Sequence, residues 1–230
     1  MKIIILCGGL GTRLKEETEF RPKPMVYIGN KPILWHIMKN YAHYGFNDFI
    51  LALGYKGEMI KEYFLNHDLK NNDITIHLGK RKNKIISKKK TDVDWKVTLV
   101  DTGEKTLKGA RLKRIEKYID GEEFMVTYGD GVGNIDISAL LKFHRKHGKI
   151  ATVTATVLQS QFGELTIQQN NTAKFTEKPM SQSFINSGFF VFNKNIFNYL
   201  RDDDDCDLEY EVMEKLSREG QLKAYKHKGF

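Results

Sequence analysis

Glycines, cations and one aspartate are the residues of this sequence whose types and spacing could do chemistry. Gly8, Gly9 and Gly11 occupy three of four consecutive positions, where a chain can turn sharply and leave backbone N–H groups uncovered by side chains. Arg13 comes two positions later, and Lys23 sits between Pro22 and Pro24. A glycine turn after a strand, flanked by cations, makes a cradle for a phosphate chain. Two common phosphate motifs do not fit the spacing. A Walker A loop needs a Lys at a distance where none occurs, and the third position of the dinucleotide fingerprint that starts at Gly9 and Gly11 is Leu14. That residue, with the Arg13/Lys23 pair, also disfavours an NAD(P)-dependent oxidoreductase.

Downstream, Tyr128-Gly129-Asp130-Gly131 comes after the short apolar run Phe124–Thr127. Ligands of open α/β sheets sit at the carboxyl ends of strands, and a carboxylate there can hold Mg²⁺ together with substrate phosphates. Asp-Gly is also a common turn pair, so a purely local role is the alternative. Arg111, Lys113 and Arg114 begin a helical stretch: one of them faces the site, or all three solvate the helix. Glu177 and Lys178 precede Pro179, which biases Lys178 away from helix. Gly188, after Asn186 and Ser187, lies inside a strand-like run and predicts a bulge or a close approach to a ligand.

The elements that must position these residues alternate. Ile3–Leu6 is an apolar run short enough for a fully buried strand. Pro32–Tyr44 has helical spacing with Ile33, Leu34, Ile37, Met38 and Tyr41 as core face, and a packed face accounts for Trp35 and His36 better than a ligand does. Phe49–Leu53 is a second strand, turning at Gly54–Gly57 into a helix through Ile60 and Phe64. Further strands are expected at Ile74–Leu78, Trp95–Val100, Phe124–Thr127, Ala151–Val157, Leu165–Ile167 and Phe184–Phe192. Further helices are expected within Thr106–Ile119, at Ile137–His147 and at Glu209–Glu219. Strand–turn–helix repetition predicts an α/β fold around a mostly parallel sheet. The acids Asp202–Asp205 and Asp207 lack regular metal-ligand spacing and read as a solvated loop.

Size and charge narrow the classes. The 230 residues suffice for one large domain over 1–230, and 40% apolar with 29% charged residues is an ordinary globular composition. No apolar run approaches a membrane span, and the N-terminus lacks a signal-peptide pattern. Cys7 and Cys206 are too few for a disulfide framework, which fits a reducing cytoplasm. The net charge is +8, but seven Lys or Arg residues fall between Lys80 and Lys90 with no aromatic among them. A solvated loop or hairpin explains that run better than nucleic-acid binding, and the remaining basic excess suits anionic small substrates.

The segments LCGGLGTRL, RPKPMVYIGNKPILWHIMKNY, GYKGEMIKEYF, WKVTLVDTG, RLKRI, TYGDGV, EKP and INSGFFVF occur here in a fixed order. Together they resemble the glucose-1-phosphate cytidylyltransferase branch of the sugar-1-phosphate nucleotidyltransferases, along the whole chain. The resemblance implies a Rossmann-like three-layer fold, its central sheet mostly parallel with helices on both faces. It also implies transfer from CTP to a phosphorylated small-molecule acceptor with Mg²⁺ as cofactor, a homo-oligomer, and a role in surface polysaccharide biosynthesis. By the same resemblance Leu6, Cys7, Gly8, Gly9, Leu10, Gly11, Thr12 and Arg13 wrap the nucleotide, with Lys23, Thr106, Arg111 and Gly129 as further contacts. Asp130 matches a metal carboxylate. Tyr128, Glu177, Lys178 and Asn186 fall where the family holds its acceptor, and Arg13, Lys23 and Lys178 would act on the reacting phosphates. A second metal carboxylate is expected beyond Phe230, in an end of the family domain that this chain lacks.

Such a reaction joins two anions, so it needs cations and aligned donors to hold them in line, without acid–base chemistry. No Ser/His/Asp or Cys/His arrangement is visible, and none is required. Departures from the family pattern gather on the acceptor side: Leu158–Gly163 replaces a P-P-x-R-F-G segment, the stretch from Pro179 to Asn186 is shortened, and Ser187 stands for a usual Gly. They leave open a non-sugar phosphate such as phosphoglutamine as acceptor. A non-catalytic nucleotide-binding module is a further alternative.

Overall fold

The computed structural model describes residues 1–9, 19–76, 85–87, 93–160, 162–167 and 173–229. Its centre is a seven-stranded sheet. β1 (Lys2–Cys7) has β2 (Asp48–Leu53) and β4 (Glu123–Tyr128) as parallel neighbours, and β3 (Lys96–Asp101) adds in parallel beyond β2. On the other side β8 (Met180–Asn193) runs antiparallel to β4 and to β5 (Ala151–Gln159), and β9 (Leu222–Lys226) closes the edge parallel to β5. The order is β9-β5-β8-β4-β1-β2-β3. Between β5 and β8 a separate antiparallel hairpin pairs β6 (Glu164–Ile167) with β7 (Ala173–Thr176).

Helices cover both faces. Ile3, Ile5, Phe49, Leu51 and Met125 pack with Leu34, Ile37, Met38 and Tyr41 of α1 (Ile33–His43), Ile60 of α2 (Gly57–Leu65) and Leu140 of α4 (Ile137–His147). The alternate residues Ile4, Leu6, Ile50, Ala52, Phe124 and Val126 pack with Leu112 and Ile115 of α3 (Lys108–Ile115) and with Leu208, Val212 and Leu216 from the C-terminal helical segment. Burial on both faces is why the central strands read as continuous apolar runs rather than alternating ones. The sequence reading of a mostly parallel sheet with helices on both faces therefore holds.

The C-terminal segment differs from the expected continuous helix. Leu208–Met213 forms wide π-type turns, and α5 (Glu214–Arg218) continues from it. Asp207 caps the start, accepting hydrogen bonds from the backbone N–H of Glu209 and Tyr210, each at 2.8 Å. Nor is the acidic stretch simply solvated: Asp202 and Asp204 pair with Arg114, while Asp203, Asp205 and Glu211 pair with Arg201. Most of the basic run lies outside the described residues; Ile85–Ser87 within it pairs antiparallel with Ile74–Ile76.

Candidate active site

Parallel register brings four strand ends to one level. Cys7 stands opposite Leu53, Leu53 opposite Asp101, and Leu6 opposite Tyr128. The loops leaving these strands therefore meet at the carboxyl edge of the sheet, the edge where such folds bind ligands. A cleft of about 500 Å³ opens there, lined among others by Leu6, Cys7, Gly8, Gly9, Lys23, Thr106, Arg111, Tyr128, Gly129 and Asp130. Ten of the residues expected to serve the site thus meet in one cavity. Leu10, Gly11, Thr12 and Arg13 lie outside the described residues.

Asp130 does not point into the core. Its side chain is 43% exposed, and its Oδ2 lies 3.2 Å from Lys23 Nζ. The turn carrying it is tied to β1 by a hydrogen bond from Gly129 N to Leu6 O of 3.0 Å. Lys23 is held by a short 3₁₀ turn, Lys23–Met25, whose Pro24 and Met25 are buried. Among the described lining residues Asp130 is the only carboxylate. A single carboxylate facing such a cleft suits a hard divalent cation, which completes its shell with water and substrate oxygens. The ammonium of Lys23 already occupies the position of a cation beside that carboxylate.

Arg111 has a different surrounding from the one a phosphate-binding arginine would need. It is 3% exposed. Nη1 donates to the carbonyl oxygens of Leu53 (3.0 Å) and Gly103 (2.6 Å) and to Thr102 Oγ1 (2.8 Å), while Nη2 donates to Gly8 O (3.0 Å) and Glu104 O (3.1 Å). Burial, then the nearby charge of Arg114, lowers its pKa from the usual arginine value. The guanidinium laces together the loops after β1, β2 and β3. Its closeness also explains Gly8, where a Cβ would overlap the guanidinium carbon.

Thr106 is similarly engaged: its hydroxyl donates to Asp204 Oδ1 at 2.7 Å and accepts from Arg114 Nη1 at 2.8 Å. Of the three cations at the start of α3, then, Arg111 lines the cleft. Arg114 braces the acidic loop, and Lys113 bonds Phe197 O and Glu116. Cys7 is 1% exposed and burial drives its thiol pKa far upward, so it remains a neutral packing group. Cys206 is buried as well, against Gly109.

The residues expected to hold the acceptor are arranged more loosely. Tyr128 Oη accepts a hydrogen bond from Asn186 Nδ2 at 3.0 Å, so these two do come together. Gly188 has φ +82°, and a Cβ there would lie 2.5 Å from Tyr128 Cδ2; the β8–β5 register shifts between Asn186 and Phe190. The predicted bulge is present, and the close approach is to the Tyr128 ring. Ser187 donates to Thr154 O at 2.9 Å. Lys178 lines a second, more apolar cavity that begins at Gly131, one residue past Asp130, and it adopts a left-handed backbone conformation with φ +43°. Glu177 is exposed and lines neither cavity among the described residues.

Two further residues were not singled out by the sequence. Lys108 lines the cleft, and its Nζ lies 2.6 Å from Glu209 Oε1. Glu209 also accepts the hydrogen bond of the Tyr128 hydroxyl. No local signal marks this pair, since the partners are about a hundred positions apart.

Fold and cleft together define an α/β protein with its cavity at the carboxyl edge of the parallel strands. The chain belongs to the nucleotidyl transferase family, whose model matches residues 2–230. More particularly, it is 49% identical over 232 residues to a glucose-1-phosphate cytidylyltransferase of Salmonella typhi, spanning 100% of this chain and 89% of that protein. A probable glucose-1-phosphate cytidylyltransferase of Bacillus subtilis is 45% identical over 230 residues with the same coverage. These relatives are of the branch that the motifs resemble. Among solved structures, HddC from Yersinia pseudotuberculosis complexed with GMP-PN is similar at a TM-score of 0.70 and 26% identity, covering 100% of this chain and 91% of that one. Enzymes of this family generally use a divalent metal. Among the described residues, no helix is long and apolar enough to cross a membrane.

Proposed function

We propose that this enzyme transfers the cytidylyl group of CTP to a sugar 1-phosphate, glucose 1-phosphate first, giving a CDP-linked sugar and pyrophosphate. The observation that carries this reading is the cleft in which Asp130 and Lys23 face each other beside Gly8 and Gly9, in a chain nearly half identical to glucose-1-phosphate cytidylyltransferases. In the reaction an oxygen of the acceptor phosphate forms a bond to the α-phosphorus of CTP. The bond from that phosphorus to the bridging oxygen breaks, and pyrophosphate leaves with the electron pair. No proton need move.

The chain's residues divide that work. The Gly8–Gly9 backbone and Lys23, with Arg13, hold the triphosphate and offset its charge as it develops on the leaving group. Asp130 would hold Mg²⁺, which would neutralise phosphate oxygens. Lys23, 3.2 Å from Asp130 Oδ2, is placed to offer its ammonium to a phosphate oxygen beside that carboxylate. Arg111 acts by fixing the Gly8 carbonyl and the neighbouring loops, and Thr106 by anchoring the loop to Asp204. Lys178 receives the acceptor phosphate. Its left-handed backbone costs about 1–3 kcal/mol, a cost typically retained at sites of function. Tyr128, Asn186 and Glu177 meet the sugar.

The buried thiols of Cys7 and Cys206 suit a reducing cytoplasm, the seven-stranded central sheet suits one catalytic domain, and a homo-oligomer is the expected assembly. The deciding experiment is pyrophosphate release with each of the four nucleoside triphosphates against glucose 1-phosphate, other sugar 1-phosphates and phosphoglutamine. Turnover with CTP and a sugar 1-phosphate supports the reading. Turnover only with phosphoglutamine would move the assignment to a non-sugar acceptor, and nucleotide binding without any turnover would refute catalysis.

A further inference from the structure

Glu209 lies outside the cleft lining yet holds two residues that form it. Its Oε1 accepts from the Tyr128 hydroxyl and is 2.6 Å from Lys108 Nζ. That ammonium also stands 5.0 Å from the centre of the Tyr128 ring. Tyr128 Oη accepts from Asn186 Nδ2 at 3.0 Å, and Asn186 Oδ1 accepts from Gly188 N at 2.8 Å. One chain of polar contacts therefore joins the start of α3, the tip of β4, the bulge of β8 and the capped turn after Asp207. The second carboxylate oxygen, Glu209 Oε2, is buried and without a partner among the described residues. A buried carboxylate oxygen left so is costly, and the two contacts made by its twin are what the arrangement obtains in return.

The donor inventory has a consequence for the substrate. The Tyr128 hydrogen is committed to Glu209, and one lone pair of Oη is taken by Asn186. Among the described residues, what remains for a ligand is one acceptor lone pair on Tyr128 and one N–H of Asn186. A hydroxyl group, donor and acceptor in one, satisfies both at once. A carboxylate can accept from Asn186 but has no hydrogen for Tyr128, so it satisfies one of the two groups and not the other.

We propose that Glu209 is a positioning residue that sets the polarity of the acceptor subsite, so that Tyr128 and Asn186 together read a sugar hydroxyl and disfavour an acceptor bearing a carboxylate there. This rests on the reading of the cleft as a cytidylyl-transfer site. Burial, followed by the bond to Glu209, pushes the Tyr128 phenol far above its ordinary pKa, consistent with a proton that stays in place.

The test is steady-state kinetics on the full chain with CTP, glucose 1-phosphate and its mono-deoxy analogues. Glu209→Gln and Tyr128→Phe are each expected to raise KM for glucose 1-phosphate about tenfold while leaving KM for CTP within about twofold; the double variant should be no worse than the poorer single one. Glu209→Asp, which keeps the charge, should recover part of the loss. In the unmodified enzyme one deoxy analogue should bind about tenfold more weakly than glucose 1-phosphate, and Tyr128→Phe should erase that difference. The deoxy series and Tyr128→Phe keep the proposal exposed even if the Glu209 variants do not fold. Additive losses, equal changes in both KM values, or a deoxy penalty that survives Tyr128→Phe would overturn it. If the unmodified enzyme turns over but these variants behave normally, only this inference fails. If it turns over no sugar 1-phosphate at all, the proposed function fails and this falls with it.

Discussion

The two sides of the proposed substrate region, the cleft and the second cavity that begins beside it, are built differently. The nucleotide half hangs on three parallel strands and is locked from beneath by one guanidinium: Arg111 makes five hydrogen bonds and binds the loops after β1, β2 and β3 into one piece. The acceptor half rests on the antiparallel strand β8 with its bulge and on the hairpin β6–β7, whose residues are exposed. Leu165, Ile167 and Phe175 of that hairpin are each more than 60% exposed. Under the proposed function a nucleotide is thus met by a preorganised surface, whose electrostatic work needs no rearrangement. The acceptor is met by a few polar groups whose placement depends on long-range contacts. Chemistry common to a family belongs on the first kind of support, and choice of acceptor on the second.

Breaking the nucleotide half at its reacting end should have the largest effect. Asp130→Asn is expected to lower kcat about 1000-fold or more, with unchanged circular dichroism, since it removes the carboxylate proposed to hold the metal and leaves only polar contacts in place of charge. Lys23→Met should lower kcat/KM about 100-fold, because the triphosphate loses a cation but keeps its backbone cradle. A kinetic comparison in which Lys23→Met matched the unmodified enzyme would remove the clamp from the account.

Next in size is the support itself. Arg111→Met strips donors from the carbonyls of Gly8, Leu53, Gly103 and Glu104, and a buried acceptor left unpaired costs about 1–3 kcal/mol. A loss of about 3 kcal/mol or more, seen as a Tm lower by about 10 °C, is expected, with nucleotide affinity falling alongside. If Arg111→Met instead left Tm unchanged and lost only CTP affinity, the residue would be a direct ligand rather than a brace. On the acceptor side, Lys178→Met should raise KM for the sugar phosphate about tenfold and leave Tm and KM for CTP nearly as they were. That split between stability and KM is the sharpest form of the contrast.

The smallest effect lies away from the cleft. His144 is buried on α4, with Nδ1 2.8 Å from Thr152 Oγ1; His147 Nε2 reaches the same hydroxyl at 2.7 Å. Burial, then the neighbouring His147, lowers the His144 pKa to about 4 from 6.5. The unfolded chain takes up that proton first, so the contribution is complete above about pH 6.5 and is lost as pH falls towards 4, with a slope of at most about 1.4 kcal/mol per pH unit. Urea unfolding between pH 4.5 and 7 should show this slope, flattened in His144→Asn, with kcat at neutral pH unaffected.

Much of the fold was legible because local pattern and global burial agree. Ile137–His147 has the same bounds in sequence and structure: its apolar positions repeat with helical period, and Asp136 and Gly148 cap its ends. The glycine turn, Lys23 and Asp130 were legible because each has a residue type that packing alone does not explain. Less was visible where a role depends on distant partners. The sequence shows Arg111 as a cation, but its five acceptors come from loops after three strands. Glu209 carries no local mark, and its contact with Tyr128 spans 81 positions. The π-type turns at Leu208–Met213, where Val212 N bonds Asp207 O at 3.4 Å and Leu208, Val212 and Met213 are buried, carry an apolar spacing that helical periodicity does not distinguish from an ordinary start.

The central claim is that Lys23 and Asp130 form one metal-dependent cytidylyl-transfer centre. Its most direct test is pyrophosphate release from CTP and glucose 1-phosphate, titrated with Mg²⁺, for the unmodified enzyme and Asp130→Asn in parallel. Saturable, Mg²⁺-dependent turnover that disappears in Asp130→Asn is the predicted result. Undiminished turnover by Asp130→Asn at the same Mg²⁺ concentrations would contradict it.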